Sequence, residues 1–325
     1  MLCRLGPGQP RVKVRGRCAE TVSTPCPTQP GDPMSHAIDG IPLALRAEID
    51  ELPALPAVVS ACLDELHDPS SNAQRVADLM LADVGLTARA LKVVNSSLFC
   101  LATEVRSLAH AIALLGAARL EEIILSVTLP QLFGKGRAGA LVTRVWEHAF
   151  ATAFMGREVA VRAGLERPTD AYVAGLMHDL GLMIAARCLP VETERMVAAQ
   201  PDAGPWDLAA ERAALETDHA RLGLALAEHW GLPEAILEAV RHHHDPAGHD
   251  PMVAAVHVAD RLAEQGGLGL REVEADPEPP VARWWTAAFP PDHPVPDDLD
   301  LFAAADDWGA QVRALVAELV PASQP

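Results

Sequence analysis

Two adjacent titratable side chains, His178 and Asp179, sit inside an otherwise apolar run, AYVAGLMHDLGLMIA, over residues 171–185. Charge in an apolar helix is costly unless it is paired or binds a metal, so the dyad needs a partner or a purpose. To either side the chain offers His148, His219, the run His242-His243-His244, His257 and Asp260, all on or at the ends of predicted helices. Neutral imidazole and carboxylate suit divalent transition metals, and ligands on facing helices can converge in a bundle core. A vicinal His-Asp pair alone is a weak signal. The order His, His-Asp, His, tandem His, Asp is a stronger one. Divalent ions held by such a set lower the pKa of a bound water and clamp phosphoryl oxygens, which is the chemistry of phosphomonoester or phosphodiester hydrolysis.

Each candidate also has a structural reading. His178 and Asp179 can be a buried, mutually bonded pair capping a helix junction. His219 follows Asp218, a good N-cap, and the three histidines at 242–244 suit a helix C-terminus, where the dipole favours cations. His148 beside Trp146 can be core packing, and Asp260 can pair with Arg261 or with another helix. His229 and His257 read as structural. Asn95-Ser96 reads as a polar pair closing a helix on neighbouring backbone.

The elements that must position these residues are helices. Aromatics make up 4% of the 325 residues, Tyr occurs once, and strand signals are nearly absent. Helical apolar spacing begins at about Ile41, with start signals at Asp68-Pro-Ser-Ser, at Asp83 and at Thr169-Asp170, and with Pro233 in the first turn of a later helix. The Leu-Pro repeats at 52–56 set an extended entry to the first helix. The fold class expected is all-α, as two packed helical subdomains: residues 41–133 and 141–265, joined around 134–140. Residues 1–40 read as a disordered leader, with Met34 as a second candidate start beside Met1. Residues 266–325 read as an acidic, Pro-rich extension, whose Trp284, Trp285, Phe289, Phe302 and Trp308 would anchor it or form a lid or interface.

Half of the residues are hydrophobic, enough for one large or two modest cores, and no run of about 18 or more apolar residues is present to span a bilayer. The basic N-terminus has no apolar core of a secretory signal, so the expected compartment is the cytoplasm. The six cysteines, Cys3, Cys18, Cys26, Cys62, Cys100 and Cys188, contain no CxxC pair. The net charge of −18, with no basic cluster outside the leader, argues against nucleic acid as a partner.

Taken together, ELPALPAVV, GLTARALKVVNSSLF, AIALLG, WEHAFATA, AGLMHDLG and TDHARLGLALAEHWGLPEAILEAVRHHHDP resemble the HDOD domain over roughly residues 50–260. HDOD domains are bacterial output modules related to the HD and HD-GYP metal-dependent phosphohydrolases. The resemblance implies an HD-like bundle in the second subdomain and a role in signalling. It also implies a ligand set of His148, His178, Asp179, His219, His243, His244 and Asp260, for iron, manganese, nickel or zinc. Several departures from the active HD-GYP pattern stand out. Leu182 replaces the Lys after the dyad, Arg144 stands where a trinuclear enzyme would supply Glu, and the GYP loop is missing. Val84 departs from the Pro usual in HDOD domains. The function expected on these grounds is a non-catalytic adaptor acting on a signalling protein in trans. Two alternatives stay open: a metal-dependent phosphodiesterase, and a regulator that binds a nucleotide second messenger without hydrolysing it.

Overall fold

Short polar side chains placed just before apolar stretches start many of the helices, by accepting hydrogen bonds from first-turn amides that lack a helical partner. Asn72, Asp83, Asp207, Asp218 and Asp250 all do this. The computed structural model describes residues 40–68, 70–99, 101, 103–133, 139–201, 206–270, 281–296 and 305–320. They belong to one unit spanning Met34–Pro325.

The helices are α1 (Leu43–Glu51), α2 (Ala57–His67), α3 (Ala73–Leu81), α4 (Val84–Val94), α5 (Leu108–Phe133), α6 (Gly139–Arg162), α7 (Pro168–Met177) and α8 (Leu180–Cys188). They continue with α9 (Pro190–Ala198), α10 (Leu208–Leu215), α11 (His219–His229), α12 (Glu234–His242), α13 (Pro251–Ala263), α14 (Val281–Ala288) and α15 (Ala305–Leu319). A π-helical turn, Glu264–Leu268, prolongs α13. No strand occurs among the described residues, and none of their helices is long and apolar enough to cross a membrane.

One apolar cluster runs through all of this, from Ile41 to Leu319. Its centre is α6, packed against α7, α8, α13 and α15, with Trp146 and Phe150 among its fully buried side chains. Helices α2 to α4 pack around α5, which meets α7. There Glu122, fully buried, is held by Arg119 at 2.7 Å and Arg157 at 3.2 Å, while the Ser126 and Tyr172 hydroxyls lie 2.7 Å apart. Burial still pushes the Glu122 carboxyl above its usual range, against the pull of the two arginines.

The all-α expectation agrees with this architecture, and several local readings change. Residues 171–185 form two helices, with the dyad at the break: His178 ends α7 and Asp179 precedes α8. The cap of α7 is Arg167 rather than Thr169 or Asp170, because Pro168 takes the first helical position and Asp170 bonds Arg167 at 3.0 Å. Pro233 stands one residue before α12. The Leu-Pro repeats lead into the second helix, since α1 precedes them. Asn95 closes α4 as expected, donating to Leu91 and Val105 carbonyls and accepting from the Val105 amide. Of the proposed anchors, Trp285 and Phe289 are buried and stacked on each other, and Trp308 meets Phe154 edge to face. Phe302, residues 1–39 and the 134–138 junction lie outside the described residues.

Candidate metal centre

Five helix-bearing segments deliver the seven sequence-selected side chains to one place. His148 comes from α6, His178 and Asp179 from the α7–α8 break, His219 from the start of α11, His243 and His244 from just past α12, and Asp260 from α13. His148, His178, Asp179, His219, His243 and Asp260 are buried, and His244 is half-buried. Close helix approach is what allows this convergence. At Gly181, in the first turn of α8, an added Cβ would lie 2.0 Å from the His219 carbonyl oxygen. Glycine there lets α8 and α11 touch backbone to backbone, which brings Asp179 and His219 together.

Asp179 is the hub. Its Oδ1 lies 3.2 Å from His219 Nε2 and 3.7 Å from His243 Nε2, and its Oδ2 lies 3.5 Å from both His148 Nε2 and His178 Nε2. Two groups therefore share it: Asp179 with His219, His243 and His244, and Asp179 with His148 and His178. Within each group the donor atoms lie within 4.8 Å of one another. Asp260 Oδ1 joins the second group, 3.1 Å from His148 Nε2.

The outer nitrogens of four rings are spoken for. Nδ1 of His148, His178 and His243 faces the carbonyl oxygens of Leu268, Gly175 and Val240 at 3.1, 2.7 and 2.9 Å, and Nδ1 of His219 faces Glu211 Oε2 at 2.8 Å. Those oxygens only accept, so each Nδ1 carries the hydrogen, and each neutral ring turns its Nε2 lone pair inward. The inward atoms crowd: His178 to His148 is 3.2 Å, His219 to His243 is 3.2 Å and His244 to His219 is 2.9 Å. Two facing lone pairs repel, so each contact requires either a proton or a cation between the rings.

Without a cation, protons fill that role. Burial opposes charge on His148 and His219, yet Asp260 raises the first and Glu211 the second, each to about 9. Burial and the neighbouring imidazoles push His243 down to about 3 and His244 well below its ordinary value. The four imidazoles around Asp179 overcome its burial and lower its pKa. The donor set fits a divalent transition ion on these grounds: inward nitrogens with fixed tautomers, anionic oxygens between them, and oriented outer partners.

Two features of the centre are absent from the sequence reading, Glu211 and the Leu268 carbonyl. Glu211 is fully buried on α10 and accepts from His219 Nδ1, the His219 amide and Trp206 Nε1, each at 2.8 Å. The π-helical turn supplies the Leu268 carbonyl to His148. Arg261 bonds Glu264 at 2.7 Å, and Asp260 meets His148 on another helix, one of the pairings the sequence suggests. His257 Nδ1 lies 2.7 Å from the His243 carbonyl, while His229 lies at the end of α11. A cavity of about 340 Å³ opens on the centre, with His148, Asp179, His244 and Asp260 at its inner end and Trp206 and Trp284 among its walls.

The fold and the site define a class: an all-helical bundle with a buried His/Asp centre. The HDOD domain family model matches residues 52–246, and the chain belongs to that family. The chain is similar to the crystal structure of an HDOD domain protein of unknown function from Geobacter sulfurreducens. The two share 29% identity over 85% of this chain and 97% of the other, with a TM-score of 0.69. It shares a fold with a protein from Marinobacter aquaeolei VT8 provisionally described as a signal transduction protein, at 18% identity, TM-score 0.64, and 89% and 67% coverage. An uncharacterised protein from Treponema pallidum (strain Nichols) is 25% identical over 226 residues, 67% of this chain. The chain spans 43% of that relative's length.

Proposed function

We propose that this chain is a regulatory HDOD protein that holds a divalent cation in its His/Asp centre and acts on a signalling protein in trans, without turnover. The observation that carries the reading is Leu182. The ligand set around it is complete, yet at the place where the resemblance puts a phosphate-meeting lysine stands a leucine, 1% exposed and part of the core. Arg144, at the place of a further carboxylate ligand, is exposed. The Marinobacter relative, described as a signalling protein, supports the same direction.

His148, His178, Asp179, His219, His243, His244 and Asp260 would hold iron, manganese, nickel or zinc. Such an ion supplies water activation and charge neutralisation when bound. The chain's own residues orient the donors: Glu211 and the Leu268, Gly175 and Val240 carbonyls fix the rings.

The test is elemental mass spectrometry on untagged protein beside the His178→Ala, Asp179→Ala double variant, with a panel of phosphoesters assayed on both. Wild type is expected to hold at least one equivalent of metal, the folded variant none, and neither to hydrolyse the panel. An empty wild type that takes up no added ion removes the metal from the proposal. A second reading, a metal-dependent phosphohydrolase, draws support from the sharing of Asp179 by two ligand groups beside an open cavity. Turnover abolished in the double variant would put that reading first.

A further inference from the structure

The cavity over the centre has an unequal lining. Its inner end is His148, Asp179, His244 and Asp260, and its walls include two tryptophans that are neither buried nor fully exposed, Trp206 and Trp284. Trp206 is fixed by its Nε1–H bond to Glu211 and by edge contact with the His219 ring, centroids 5.8 Å apart. Trp284 carries the Arg261 guanidinium over its ring at 5.5 Å, and Arg261 is in turn tied to Glu264 at 2.7 Å. Trp284 lies on α14, beyond residues 52–246 that the family model matches.

Charge and size restrict the occupant. Among the described residues the lining carries four carboxylates, Asp179, Asp245, Asp260 and Glu264, against one guanidinium, Arg261. That excess of negative charge repels anions from the cation-free cavity. One divalent ion at the inner end would offset most of that excess, and two would outweigh it. The aromatic faces suit a flat ring, which gains from stacking whatever its identity. A cavity of about 340 Å³ lies at the small end of the range for ligand sites, with room for one ring-bearing unit.

We propose that the cavity binds an oxyanion bearing one flat aromatic ring system, a compound of mononucleotide size, with its anionic group at the His/Asp centre and its ring system against Trp284 and Trp206. Trp284 is the specificity-determining residue. A cyclic dinucleotide, with two such units, is expected to fit less well. This inference rests on the reading of the centre as a cation site.

The experiment is calorimetric titration of the manganese-loaded full chain, with metal content measured on the same samples. AMP is the probe, ribose 5-phosphate the anion without a flat ring, and cyclic di-GMP the two-unit ligand. The expected result is one-to-one AMP binding that vanishes when manganese is removed. Binding is also expected to weaken roughly tenfold or more in Trp284→Ala, to be largely retained in Trp284→Phe, and to exceed that of the other two ligands by a similar factor. Ribose 5-phosphate or cyclic di-GMP binding as well as AMP to the wild type overturns the proposal without any variant, as does AMP binding untouched by Trp284→Ala. Manganese-loaded protein that ignores AMP overturns this inference alone, whereas a chain that takes up no manganese and no AMP overturns the cation reading with it.

Discussion

Replacing Glu211 by glutamine perturbs the centre with almost no change of shape. One carboxylate oxygen receives the His219 backbone N–H, and the other receives both the His219 Nδ1–H and the Trp206 Nε1–H, all at 2.8 Å. In glutamine one of those oxygens becomes an NH₂ group, which only donates. If it faces His219 Nδ1 and Trp206, the imidazole escapes the clash by moving its hydrogen from Nδ1 to Nε2. That nitrogen is the one aimed at Asp179, His243 and His244. A protonated Nε2 cannot ligate. The opposite amide orientation sets NH₂ against the backbone N–H, which has no tautomer to change. Losing an outer partner of this kind costs about 10- to 100-fold in metal affinity, equivalent to about 1.4–2.8 kcal/mol. The assay is a competition titration of zinc against a chromophoric chelator, with far-UV circular dichroism and a thermal melt to show that the variant is folded. Zinc affinity within twofold of wild type, in a folded Glu211→Gln chain, would refute both the tautomer assignment and the orienting role of Glu211.

Three further outcomes are expected. Gly181→Ala should yield insoluble or strongly destabilised protein, because its Cβ would overlap the His219 carbonyl at 2.0 Å and the Gly223 amide at 2.7 Å; a melting temperature near wild type would show that α8 and α11 can separate freely. Leu182→Lys should not create a phosphodiesterase but destabilise the fold by several kcal/mol, since it places an ammonium in the core; equal chemical denaturation of variant and wild type would contradict this. Burial, opposed by His67, raises the pKa of Glu121, so the folded chain holds that proton more tightly than the unfolded chain and loses the associated stability as pH climbs through the raised value. Glu121→Gln should therefore gain stability relative to wild type between pH 4 and pH 8 in paired melts, and a constant difference across that range would exclude the linkage.

The seven candidate ligands are readable in the sequence because their types and order survive as a linear pattern, and the helical class follows from apolar spacing and start signals. What surrounds the ligands is not readable. The break between α7 and α8 is hidden because apolar residues continue without interruption on both sides of the dyad. Glu211 looks like an ordinary surface charge in LAAERAAL, and only the approach of α11 to α10 shows that it is buried against His219. The Leu268 carbonyl has no side-chain signature at all, and its role depends on the π-helical turn. Trp284 is visible as an apolar anchor, but its place beside the cavity is a property of packing across the chain.

The convergence of ligands on Asp179 bears on how the protein reaches its folded state. Helical proteins fold quickly when their contacts are local, yet this centre joins residues separated by 24, 30 and 120 positions. Closing such loops has an entropic cost that must be met before any of these contacts forms, so the centre is expected to assemble after the helices it joins. A cation arriving early meets only what the unfolded chain can offer locally, chiefly the His242-His243-His244 tract. Any grip by that tract lowers the stabilisation an ion confers on the native state, because linkage counts only the difference in affinity between the two. An ion bound at the centre would therefore act as a late clasp on helices that have already formed.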